Sequence, residues 1–106
     1  MDDIAFTAWV DRRQPAVVRL IGELDMAGAP RLESVLVGLD GDVEFDCSDL
    51  AFIDAAGVRT FQKAHDQCAA RGCELVLVDP TPAVDRVLRM VQLDTVFRIR
   101  QSKGMT

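Results

Sequence analysis

The sequence lacks both a long apolar run and a basic leader. It opens Met1-Asp2-Asp3, and nowhere does it offer the stretch of about 20 apolar residues that a membrane span requires. The expectation is therefore a cytoplasmic chain with no membrane insertion. Basic residues are in deficit too: 12 Lys and Arg stand against 17 Asp and Glu, for a formal net charge of −5. Nucleic-acid binding rests on clustered Lys and Arg that displace counterions from phosphates, so that class of partner is excluded. Arg98, Arg100 and Lys103 form a sparse basic group near the C-terminus and read as part of a solvated tail.

Histidine occurs once and cysteine three times. Cys47, Cys68 and Cys73 include no C-x-x-C pair, so their spacing offers neither a zinc ligand set nor a disulfide framework. They read as small buried hydrophobes in a reducing compartment. Cys68 and Cys73 nevertheless flank the end of a predicted helix and can approach each other. No metal and no cofactor is expected. His65 falls four residues after Phe61, a spacing that turns it toward the apolar stripe as a packing residue.

What the chain does have is 106 residues, 49% of them hydrophobic, enough for one domain with its own core and too little for two. No repeat, low-complexity run or linker interrupts it. Residues 1–100 are expected to form the domain and 101–106 a frayed tail.

Hydrophobic periodicity predicts strands over Ile4 to Val10 and Ala16 to Gly22, joined by a turn at Arg12 to Pro15. Ile4, Phe6, Ala8 and Val10 alternate on one face of the first strand, with Trp9 on the opposite face, either covering the other side of the sheet, the reading preferred here, or standing exposed as an anchor for an interface. Leu32, Val35, Leu36 and Leu39 form a helical stripe that tolerates Pro30 only in its first turn. After Asp40-Gly41-Asp42 come a short strand over Val43 to Cys47, a polar turn, and a second helix from Ala55 to Arg71 closed by Gly72. Cys73 to Val78 is almost continuously apolar and reads as a central strand buried on both faces. Thr81 caps a third helix that starts at Pro82, and Thr95 to Ile99 closes the chain as a strand. The order ββαβαβαβ implies an α/β fold, a mixed, mostly parallel sheet of about five strands with three helices and right-handed crossovers.

Where the third strand meets the second helix, the sequence reads Asp54-Ala55-Ala56-Gly57. This resembles the acidic-Ser-Ser-Gly motif of STAS domains, most closely that of bacterial anti-sigma factor antagonists. Gly22-Glu23-Leu24-Asp25 resembles their Gly-x-Leu-Asp signature, and Leu75-Val76-Leu77-Val78 resembles the strand after their second helix. The order and spacing of the three segments extend the likeness over most of the chain.

The resemblance implies a non-catalytic protein-binding module whose partner is a kinase-like anti-sigma factor. It also implies that the second Ser of the motif is phosphorylated, and Ala56 occupies that position here, so the chain is expected to remain permanently unmodified. On this reading the partner-binding residues are Asp25, Met26, Asp54, Ala55, Ala56, Gly57 and Arg59. Arg59 stands where the family usually carries a small residue. Asp25 and Asp54 also read as helix caps. With no His or nucleophile beside them they make no catalytic pair, and no enzyme is expected. Ser48 and Thr60 retain hydroxyls near the motif without occupying its acceptor position. Two other roles fit the same likeness: a subunit of a lipid-transport ABC complex, and a domain that senses a ligand or anion at the second helix's N-terminus. A homodimer is compatible with either.

Overall fold

The computed structural model describes residues 6–102. The elements run β1 (Thr7–Asp11), β2 (Ala16–Leu24), α1 (Ala29–Leu36), β3 (Val43–Ile53), α2 (Ala55–Ala70), β4 (Leu75–Val78), α3 (Pro82–Met90) and β5 (Arg98–Arg100). This is the expected ββαβαβαβ order. The strands lie in the order β1-β2-β3-β4-β5, with β1 antiparallel to β2 and every other pair parallel. Because β2 to β5 advance stepwise across the sheet, right-handed crossovers set the three helices on one face. Leu32 of α1, Phe61 of α2 and Val84 and Leu88 of α3 accordingly join a single core cluster with Val18, Leu20, Phe45 and Leu77 of the sheet. Phe61 anchors it, its ring centroid lying 5.2 Å from that of Phe45 and 6.2 Å from that of Phe97.

β4 is buried along its whole length, as its apolar run requires. Helices cover one side, and neighbouring side chains cover the other. The Arg100 guanidinium on β5 donates to both carboxylate oxygens of Glu44 on β3 at 3.0 Å, so the pair spans the intervening β4. The stem of an arginine shields apolar surface while its head stays wet, and Val76 and Val78 are buried here.

The largest departure from the sequence reading is β3. Instead of a short strand and a polar turn, it runs unbroken to Ile53. Its pairing with β2 slips twice, between Arg19/Ile21 and between Gly22/Glu23, each slip adding a residue to β3. Alternation therefore fails, and burial falls on Cys47, Leu50 and Ile53, every third residue. Gly22 sits at the second slip with φ of 100°, a conformation that suits glycine.

Other elements shift by a few residues. Ile4 lies outside the described residues. Leu39 falls beyond the end of α1, although it still packs on the core. The last two strands begin at Leu75 and Arg98. Trp9 does not cover the sheet; it is 63% exposed on the edge strand. His65 packs edge-on against Phe97, 5.5 Å between ring centroids. Ser102 donates from its N–H to the Asp79 carboxylate at 2.8 Å, which ties the start of the predicted tail to the end of β4.

Candidate functional site

β2 and β3 end side by side, with Leu24 paired to Ile53. The residue that follows β3, Asp54, donates its N–H to the Leu24 carbonyl at 3.2 Å, and α2 starts immediately after it. Asp54 takes an extended backbone and accepts the Gly57 N–H on its carboxylate at 3.0 Å, while its own carbonyl accepts from Val58 at 2.9 Å. It is thus a side-chain N-cap, satisfying one of the donors that a helix start leaves without an intrahelical partner.

Asp25 repeats this arrangement on the adjoining turn. Its carboxylate accepts the Gly28 N–H at 3.0 Å and its carbonyl accepts from Ala29 at 2.9 Å. Gly28 is the formal N-cap of α1 and has no side chain to offer, so Asp25 caps the lead-in turn instead. Each carboxylate is thereby held by backbone at the positive end of a helix.

Gly57 explains how α2 comes so close to the strand ends. A Cβ placed on it would lie 2.6 Å from Ile53 Cγ1 and 2.7 Å from the Leu24 carbonyl oxygen. Any larger residue would push the first turn of α2 off the sheet. Ala55 is exposed and Ala56 half-buried, so the turn shows small methyl groups to solvent. Arg59 is exposed one turn further along α2, and Met26 is 75% exposed beside Asp25.

The predicted site residues therefore gather where β2 turns into α1 and β3 into α2. Neither hydroxyl near the motif shares the exposed first turn of α2. Thr60 is buried and donates its hydroxyl back to the Ala56 carbonyl at 3.1 Å. Ser48 is exposed, but it lies at the first slip of β3 and donates to the Asp46 carboxylate at 2.7 Å. Phe52 was not anticipated at this end of the sheet. It is 44% exposed, pairs with Glu23 across from β2, and sits two residues before the α2 cap. Its position became legible only once β3 was seen to continue past Cys47.

The architecture defines a single-sheet α/β domain that presents its helix starts at one end of its parallel strands, with small side chains around the first turn of α2. A STAS domain model matches residues 9–104, and the chain belongs to that family. Solved structures with the same fold include an anti-sigma factor antagonist from Mycobacterium paratuberculosis, 23% identical, with a TM-score of 0.79 over 91% of this chain and 86% of that one. The anti-sigma factor antagonist SpoIIAA in its unphosphorylated form is 21% identical, with a TM-score of 0.75 over 94% and 90% of the two chains. The Bacillus cell fate determinant SpoIIAA in its phosphorylated form is 20% identical, with a TM-score of 0.72 over 94% and 93%.

Among the described residues, no helix is long and apolar enough to cross a membrane, and no group of three or more His, Cys, Asp or Glu is arranged to hold a metal ion.

Proposed function

We propose that this chain is a non-catalytic, protein-binding regulatory module of the anti-sigma factor antagonist kind, acting in the cytoplasm. Its docking face on this reading comprises Asp25, Met26, Asp54, Ala55, Ala56 and Arg59, to which we add Phe52, with the buried Gly57 supporting that face from beneath rather than touching a partner. The supporting observation is the first turn of α2, where exposed Ala55 and half-buried Ala56 follow the backbone-held carboxylate of Asp54, at the same end of the sheet as that of Asp25. That end of the molecule is open, apolar at Met26 and Phe52, and acidic at its rim. It suits a protein surface with basic groups around an apolar centre, and a kinase-like anti-sigma factor is the partner to which the family likeness points.

Ala56 stands where we read the family's phosphoacceptor Ser. A phosphate there would bring about −1.5 to −2 charges into the contact and oppose docking through repulsion and desolvation. With a methyl group in that place the chain binds without waiting for a phosphatase, and its output follows its concentration.

Affinity capture from the native cell, with wild type and Ala56→Glu as parallel baits, tests the reading. The substitution is a clean probe, because an acidic side chain in the first turn favours the helix. Loss of one specific protein from the Ala56→Glu bait is the expected outcome. Equal recovery by both baits would remove this face from consideration.

A further inference from the structure

The opposite end of α2 carries chemistry that the docking face does not use. The helix finishes in a Schellman motif: the Cys73 N–H donates to the Cys68 carbonyl at 2.8 Å and the Gly72 N–H to the Ala69 carbonyl at 3.0 Å, with Gly72 at φ of 74°. Motifs of this kind commonly bring together apolar side chains from the two residues joined by the longer-range bond. Here both of those residues are cysteines. That hydrogen bond keeps their Cα atoms within about 7 Å, a limit reached only if every bond lay in line, and disulfides bridge spans of this size.

The two sulfurs surround Arg71. Its guanidinium Nη2 donates to Cys68 Sγ at 3.6 Å, and Cys73 Sγ donates to its carbonyl at 3.7 Å. Both thiols are free, but they differ in access. Cys73 is only half-buried, with its Sγ against the Asp40 carbonyl in exposed surroundings, which leaves the sulfur open to a small oxidant. Cys68 is buried, and burial pushes its thiol up while Arg71 pulls against that shift. One thiol is placed to meet an oxidant and the other to resolve the product.

We propose that Cys68 and Cys73 are a redox pair that forms an intramolecular disulfide at the expense of a hydroperoxide. Cys73 thiolate attacks the peroxide; an S–O bond forms, the O–O bond breaks, and the alkoxide leaves as an alcohol after taking a proton. Cys68 sulfur then attacks the Cys73 sulfenic acid. The S–S bond forms, the S–O bond breaks, and hydroxide departs with the Cys68 proton as water. Two thiols are oxidised and one hydroperoxide is reduced.

Closing the bridge redirects the sulfurs at the junction between α2 and the α1–β3 turn. Cys73 Sγ lies 3.6 Å from the Asp40 carbonyl, and Arg71 Nη2 reaches the Gly41 carbonyl at 3.4 Å. The disulfide removes the first contact and the thiol partner of Arg71.

Trypsin provides a direct readout, because it cleaves after Arg71, between the two cysteines. The full chain would be treated with an alkyl hydroperoxide, blocked with a maleimide and digested without reductant. The expected product is peptide 64–71 joined to peptide 72–86 with the loss of two hydrogens, reversed by dithiothreitol. Cys47, fully buried with its thiol pushed strongly up by burial, remains unmodified in the folded protein. Cys68→Ser should leave a Cys73 sulfenic acid that dimedone traps, whereas Cys73→Ser should leave Cys68 reduced. Circular dichroism on both variants confirms that they are folded. A hydroperoxide titration that takes Cys73 past the sulfenic acid with no linked peptide would overturn the proposal, as would a bridge through Cys47 or between two molecules.

Discussion

Gly57 has room for a hydrogen atom and little else. Ala at this position gains intrinsic helix propensity of up to about 1 kcal/mol over Gly, but its Cβ meets the Leu24 carbonyl oxygen and Ile53 at distances that force something to move. Overpacking of this kind costs roughly 1–3 kcal/mol, so the steric cost prevails. Gly57→Ala is expected to lower the urea midpoint without changing the m-value, and a raised midpoint would show that the first turn can retreat freely. Ala56, one residue earlier, has the opposite freedom. Incubation with a cognate anti-sigma kinase should label Ala56→Ser and leave the natural protein unlabelled. Label on the natural chain would identify another acceptor, and Ser48, being exposed, would be the first to examine.

At the scale of elements, the site depends on where helices start. Asp54→Ala removes the carboxylate that accepts the Gly57 N–H, at a cost of about 1 kcal/mol typical of lost N-caps. Thermal unfolding should show that loss, with Asp54→Asn recovering most of it; equal loss in both variants would mean that the charge and not the hydrogen bond matters. The caps at Asp54 and Thr81 were legible because side chain and position announce them together, and the structure has both accepting at the third helical residue. β3 was not legible past Cys47. Its two added residues replace the period of two by a period of three, so Ser48, Asp49, Ala51 and Phe52 read as a polar turn when they are the outward side of a bulged strand. Trp9 could not be decided between covering the sheet and standing exposed for a related reason: alternation shows which face a side chain takes, but says nothing about whether anything covers that face.

Across the whole molecule, the order of elements carried more information than any single segment. Parallel pairs with right-handed crossovers bring every strand-to-helix junction after β2 to the same end of the sheet. That is why residues 25 and 26 come beside residues 54 to 57 although nearly thirty positions separate them in the chain. The same geometry sends the Cys68 and Cys73 turn to the far end of α2. One helix therefore carries the proposed docking face at its start and the proposed redox pair at its finish, roughly 20 Å apart for a helix of this length.

That separation supplies the control for the decisive experiment. Ala70, like Ala55, is exposed on α2, but at the helix's last residue. Once the partner has been captured, its affinity would be measured by titration calorimetry for wild type, Ala56→Glu and Ala70→Glu, the same change at the two ends of one helix. The account predicts that Ala56→Glu weakens binding by about 100-fold or more, on the scale of a charge left unpaired in an interface, and that Ala70→Glu binds as wild type does. Equal affinity for all three, or a loss confined to Ala70→Glu, would contradict it.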